Sequence, residues 1–259
     1  MRLKHALLVI LAGAVASGCL KSTTTIELKP DGSGTIVQEN AVTAEALAMM
    51  KGLASSQNAK DVPQDLFSQE QAVKTAETMG VTFVSGEPIK TATHEGFRAH
   101  YKFDDITKIK FNMQQGPEAM AGAGAGSQPP FGFTFARGAS SSLLTIQMPE
   151  QAPGAFPGMP KGTSDAEKAQ AAQAMAMMKM MLKGMFVDIS LALDGRIIKS
   201  NATHVEGSKI TLLQMDFDKM IADDATMQKL EAASDLKALA NVPGLKIATD
   251  PKLVIEFGR

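Results

Sequence analysis

Apolar and polar positions recur along this chain in two periods, and the changes of period mark out its elements. Thr23 to Lys29 alternates with period two, Pro30-Asp31-Gly32-Ser33-Gly34 supplies turn chemistry, and Thr35 to Val42 alternates again, which predicts a β-hairpin. Thr43 stands where a helix cap belongs, ahead of Ala46, Leu47, Met50, Leu53 and Ala54 on one helical face. The polar stretch from Ser55 to Pro63 breaks that helix. Ser68-Gln69-Glu70-Gln71 is a capping-box pattern that opens a second helix, with Ala72, Val73, Ala76 and Met79 as its apolar face and Gly80 as its stop. Val81 to Ser85, Gly96 to Phe103 and Ile106 to Met113 read as strands. In the middle one, Phe97, Ala99, Tyr101 and Phe103 alternate with Arg98, His100 and Lys102, giving one dry face and one wet one.

The pattern lapses at residues 114–130, whose Gly, Ala, Pro and Gln content predicts a mobile loop or linker. Phe131 to Phe135 and Leu143 to Met148 form a further strand pair around Arg137-Gly138, and residues 149–162 make a second Pro/Gly-rich loop. Ser164-Asp165-Ala166-Glu167 caps a helix running to about Lys183. Met185 to Leu193, Arg196 to Asn201 and Lys209 to Phe217 follow as strands, with turns at Asp194-Gly195 and Glu206-Gly207. Asp223 or Asp224 caps a helix over 225–240, Pro243-Gly244 ends it, and Leu253 to Phe257 is the closing strand. Strands grouped in hairpins, with helices between the groups, predict an α+β fold: an antiparallel sheet built from hairpins, with amphipathic helices packed on it. A βαβ nucleotide-binding fold is not indicated.

Ahead of Thr23 the pattern is of another kind. Arg2, Lys4 and His5 form a basic start, residues 6–16 are unbroken apolar chain, and small residues lead to Cys19, the sole cysteine. That run is about half of the roughly 20 residues a membrane-crossing helix needs, so it reads as a secretory signal peptide over residues 1–18. Ala16-Ser17-Gly18-Cys19 resembles the lipobox of bacterial lipoproteins, which implies cleavage before Cys19 and acylation of its thiol. Small residues before the cysteine leave the sulfur accessible at the membrane face, and two or three acyl chains anchor stably where one does not. Two other outcomes stay open: cleavage after the A-x-A pattern Ala14-Val15-Ala16, releasing a free chain, or no cleavage at all.

Composition then narrows the classes of function. Without residues 1–18 the chain keeps 24 of its 26 Lys+Arg against 27 Asp+Glu, a formal charge of −3 with no long run of either sign. A nucleic-acid groove or a polybasic membrane patch has no footprint here. An acylated Cys19 leaves no thiol for a disulfide, so residues 19–259, expected as one α+β envelope domain although the length allows two small ones, must fold on an apolar core alone. With one Tyr and no Trp, aromatic platforms for carbohydrate are scarce.

Cys19-Leu20-Lys21, the strand Thr23–Lys29 and the turn Pro30-Asp31-Gly32-Ser33-Gly34 are similar to the opening of LppM-type bacterial lipoproteins. Leu193-Asp194-Gly195-Arg196-Ile197-Ile198-Lys199-Ser200-Asn201-Ala202, followed by Gly207-Ser208-Lys209-Ile210-Thr211-Leu212, is similar to their closing hairpin. The two Gly/Pro-rich stretches, the Met-rich helix and the region after residue 220 depart from that pattern, and the Trp usual near the end of the closing strand is absent, with Leu213 nearby. The resemblance implies a lipidated α+β envelope protein without enzymatic activity, in contact with lipid, and it brings no catalytic or ligand residues.

Candidate chemistry is sparse. The helix before Lys183 places Ala171, Ala174, Met175, Met178, Met181 and Leu182 on one continuous apolar face. Packing in the core is the first reading of this methionine stripe. A lipid- or partner-contacting surface of Met175, Met178, Met181 and Leu182 is the second, and Cu(I) ligation by thioethers is the third. His94, His100 and His204 are scattered and match no zinc spacing, while Ser140-Ser141-Ser142 is no nucleophile elbow. Asp104-Asp105, Asp223-Asp224 and Asp216/Asp218 read as a turn, a helix cap and the wet face of a strand. No catalytic residue, metal or cofactor is expected. The expected protein is a non-enzymatic lipoprotein, anchored through Cys19 in the cell envelope, facing the periplasm, with the outer membrane favoured by Leu20. It would bind an envelope partner or serve structurally, or, as the alternative, carry or sense an apolar ligand such as a lipid.

Overall fold

The computed structural model describes residues 20–44, 46–47, 67–112, 129–149, 179, 182–223, 225–226 and 236–258. Strand β1 (Leu20–Leu28) buries Ser22, Thr24, Ile26 and Leu28 and leaves the alternate positions more open, as its period-two pattern requires. The turn Pro30–Ser33 reverses the chain into β2 (Gly34–Thr43), with Ile26 opposite Ile36 and Thr24 opposite Gln38. Gly32 sits at φ +91°, and the Asp31 carboxylate accepts hydrogen bonds from the Ser33 backbone N–H (3.0 Å) and hydroxyl (2.7 Å), which closes the turn.

Thr43 accepts a hydrogen bond from the Ala46 N–H at 3.2 Å, so the first cap is where the pattern put it. Helix α1 (Gln69–Met79) is capped by Ser68, whose side chain accepts from the Gln71 N–H, and stops at Gly80 in the left-handed conformation. It buries Ala72, Ala76 and Met79, while Val73 stays 37% exposed at the margin. Strands β3 (Thr82–Lys90) and β4 (His94–Phe103) make the next hairpin. Pro88 has no N–H to give a ladder, which suits β3 to its place at a sheet edge. On the wet face of β4, Arg98 donates to Glu39 on β2 at 2.7 Å and to Glu87 on β3 at 2.6 Å, residues directly opposite it in register.

The remaining strands are β5 (Gly132–Arg137), β6 (Ser141–Gln147), β7 (Phe186–Leu193), β8 (Arg196–Ser200), β9 (Val205–Glu206), β10 (Lys209–Asp216), β11 (Leu245–Ile247) and β12 (Lys252–Gly258). They form two sheets. One has eight strands in the order β11-β10-β7-β1-β2-β4-β3, with β9 paired to β10; the other has four, in the order β5-β6-β12-β8. The chain passes between the sheets repeatedly, and a single apolar cluster draws on both: Ile26, Leu28, Ile36, Tyr101, Leu191 and Ile210 from the larger, Leu144, Ile146, Ile255 and Phe257 from the smaller.

An α+β description is compatible with this strand-dominated architecture, but the expected antiparallel, hairpin-only sheet is not what forms. β1 pairs with β7 in parallel, Lys21 against Phe186 through Leu28 against Leu193. The Asp194-Gly195 turn is not a hairpin either: it carries the chain from β7 in the large sheet to β8 in the small one. The expected strand from Ile106 to Met113 is, as far as residue 112, a 3-10 turn at Ile106–Lys108 followed by irregular chain. Asp105 causes it, accepting from both the Thr107 N–H (2.9 Å) and hydroxyl (2.7 Å), so the backbone turns before it can extend. β10 likewise ends at Asp216, which caps a helical turn at Phe217–Met220, so Asp216 is the strand's last residue and Asp218 lies beyond it in the helical turn, not on the wet face of a strand. The expected helix over 225–240 shows its cap, with Thr226 N–H donating to Asp223 at 2.6 Å, and a helical segment at Leu236–Leu239; residues 227–235 lie outside the described residues. β11 was not expected at all. Residues 114–128 and 150–162 of the two expected loops and most of the helix before Lys183 also lie outside the described residues.

Tyr101 tests the closure of this core. Its side chain is 1% exposed, and burial pushes its hydroxyl up to about 12 from the usual 10.0. With one tyrosine and no tryptophan in the chain, tyrosinate absorbance reports this ring alone. An alkaline titration is expected to show one transition near pH 12 in the folded protein, displaced to about 10 in denaturant. Because the unfolded chain releases this proton first, stability should hold below about pH 10 and fall from there towards 12. A folded-state midpoint near 10 would mean that the ring is in water.

Candidate functional site

Of the residues singled out in the sequence, Ala16, Ser17, Gly18 and Cys19 lie outside the described residues, as do Met175, Met178 and Met181. Leu182 is described and half-buried. What the structure does place is the ground on either side of them. β1 begins at Leu20, one residue after Cys19, and lies between β7 and β2 in the interior of the large sheet. Parallel pairing brings the start of β7 to the same end, so the chain leaving Leu182 enters the sheet beside Leu20 and Lys21. That entry is fixed by the Gly184 N–H donating to Asp218 at 2.6 Å and the Phe217 N–H donating to the Met185 carbonyl at 3.1 Å.

The opposite end of β1 opens on a cleft of about 460 Å³. Four chain segments wall it: the β1–β2 turn (Lys29, Pro30, Asp31), the β5–β6 turn (Arg137 to Ser142), the crossover residue Asp194, and Gly258 at the end of β12. Each wall is tied to a neighbour. The Ser142 hydroxyl donates to the Pro30 carbonyl at 2.6 Å, the Asp194 N–H donates to the Leu28 carbonyl at 2.9 Å, and the Ser141 hydroxyl donates to Glu256 at 2.7 Å. A side chain at Gly258 would meet the Ser140 carbonyl at 2.5 Å, so the glycine lets β12 end flush against the β5–β6 turn. Asp31 is held below the usual carboxylate range, chiefly by its hydrogen bonds from Ser33 and in smaller part by the charges of Lys29 and Arg137. Eight residue steps of about 3.3 Å put roughly 26 Å between Leu20 and this cleft.

No pattern in the sequence marked the cleft, because its parts, at residues 29–31, 137–142, 194 and 258, lie far apart along the chain. Ser140 to Ser142 lie in it without a histidine: His94 and His100 are on β4 and His204 precedes β9. A second polar group escaped the sequence reading on β7, where Asp188 and Ser190 are buried among apolar neighbours. Ser190 meets the Thr25 hydroxyl at 3.4 Å across the parallel pair, and Lys209 approaches Asp188 at 3.7 Å. Asn201, at the end of β8, extends the pairing with β12 through its side chain, accepting from the Val254 N–H at 2.7 Å and donating to the Lys252 carbonyl at 2.9 Å.

No family model matches the chain, and no curated protein matches it. Among solved structures, the folded domain of LppM from Mycobacterium tuberculosis, determined by NMR, aligns with 93% of this chain and 91% of its own. The TM-score is 0.37 and the identity 9%, too slight a likeness to fix either fold or function.

Proposed function

We propose that this chain is a bacterial lipoprotein: the signal peptide is cut before Cys19, the thiol is acylated, and the body serves as a non-enzymatic envelope module for a partner protein. The observation that supports it is the start of β1 at Leu20 in the interior of the large sheet. A lipid on Cys19 would hold the folded body against its leaflet with no tether, and the cleft end would face away from the membrane at roughly 26 Å. Leu20, in place of an acidic residue, suits the outer membrane. A second reading, a carrier or sensor of lipid, draws on the pairing that brings the chain after Met175, Met178, Met181 and Leu182 into the sheet beside Leu20.

Metabolic labelling with an alkyne fatty acid tests the anchor. The native chain is expected to take up the label, to fractionate with membranes and to begin at Cys19 by intact mass. Cys19→Ser should lose both label and membrane association. A mature chain that begins at Ser17 and stays in the soluble fraction would overturn the reading in favour of simple secretion. Extraction of bound lipid from the purified native chain would move the weight to the carrier.

A further inference from the structure

The geometry points to the cleft between the β1–β2 turn, the β5–β6 turn and the β7–β8 crossover as a binding site for a small zwitterion. The ligand would place a carboxylate on Lys29 and Arg137 and an ammonium on Asp194, as a short peptide with free ends can. The cleft's volume of about 460 Å³ falls in the range of small-molecule sites, roughly 300–1,000 Å³.

The charges select the ligand class. Lys29 and Arg137 form no ion pair among the described residues, and the Asp194 carboxylate accepts no hydrogen bond among them. Asp31, the fourth charge, is committed to its own turn through Ser33. Two cations and two carboxylates line one cleft, so a bare anion gains from one pair and loses to the other, and a bare cation does the same. A molecule carrying both signs satisfies both. Arg137 suits the carboxylate end, since a guanidinium offers a planar pair of donors that matches carboxylate geometry. The walls are fixed before any ligand arrives. The Asp31 turn, the Ser142 hydrogen bond to Pro30 and the glycine contact at Gly258 set the positions of the segments that carry Lys29, Arg137 and Asp194. Preorganisation of this kind lowers the ordering cost of binding.

Calorimetry on the full chain tests this, purified from whichever fraction holds it, so that the result does not depend on the lipid anchor. Three probes are compared: trialanine, N-acetyl-trialanine and trialanine amide. Trialanine is expected to bind saturably with Kd on the order of 1 mM, and each capped form roughly tenfold or more weaker. Arg137→Gln and Asp194→Asn both remove a charge at an exposed position. Each should weaken trialanine about tenfold while the melting midpoint stays put. Absence of saturable heat with trialanine would overturn the proposal. So would equal binding of the capped peptides, or full affinity in the double variant.

Discussion

Phe257→Ala is expected to cost about 3–5 kcal/mol of stability, seen as a lower urea midpoint with an unchanged slope. Phe257 is fully buried and sits on β12, the strand that β6 and β8 flank in the smaller sheet. In register it faces Ser142 on one side and Ile197 on the other, and its ring lies 6.4 Å from that of Phe135. Phe135 lies directly under Gly32, where an added side chain would meet its ring at 3.0 Å. Removing Phe257 therefore opens a void where the smaller sheet supports the β1–β2 turn of the larger one. Close packing leaves no neighbour free to fill it without moving that turn. Phe257→Leu keeps most of the volume and should cost less than about 1.5 kcal/mol. A loss under about 1 kcal/mol for the alanine variant would mean that the two sheets do not share a closed core here.

Gly195→Ala should cost about 2–3 kcal/mol, and Gly207→Ala about 1 kcal/mol. Both glycines have positive φ, +152° and +62°. They differ in surroundings. An added carbon at Gly207 meets nothing within 4 Å, whereas at Gly195 it meets the Gly258 carbonyl oxygen at 2.7 Å and carbonyl carbon at 3.1 Å. The Gly258 contacts are backbone at the end of a paired strand, so they cannot swing aside as a side chain would. Strain alone acts at Gly207; strain and collision act together at Gly195. Paired denaturant melts decide it, and equal losses for the two variants would refute the close crossing of β7–β8 over β12.

Local signals carried much of the fold. Ser68 and Gly80 bound α1 as read, the wet and dry faces of β4 are the ones its alternation gave, and Pro30 to Ser33 is the turn it was read as. Long-range pairing was not legible. Thr25 and Ser190 touch across 165 residues, and no local pattern names β7 rather than β4 as the second neighbour of β1. Asp194-Gly195 shows why turn chemistry underdetermines topology: a hairpin and a crossover between sheets can both be built on a glycine at positive φ. At Ile106 the apolar run prompted a strand, although Asp105 two residues before Thr107 is itself a turn signal. The cleft lay beyond sequence reading for the same reason as the β1–β7 pair. Lys29, Arg137 and Asp194 each sit in an ordinary turn, and only the two-sheet arrangement gathers them.

The interior position of β1 also decides how the molecule answers a pull. Tension applied to the chain ahead of Leu20 runs along the strand axis, between β7 on one side and β2 on the other. An edge strand drawn sideways surrenders its hydrogen bonds one after another, but a strand drawn lengthwise from within a sheet must shear both ladders at once. Withdrawing β1 would also drag Ile26 and Leu28 out of the core. The first strand is thus a mechanical clamp at the point where the chain would be tethered.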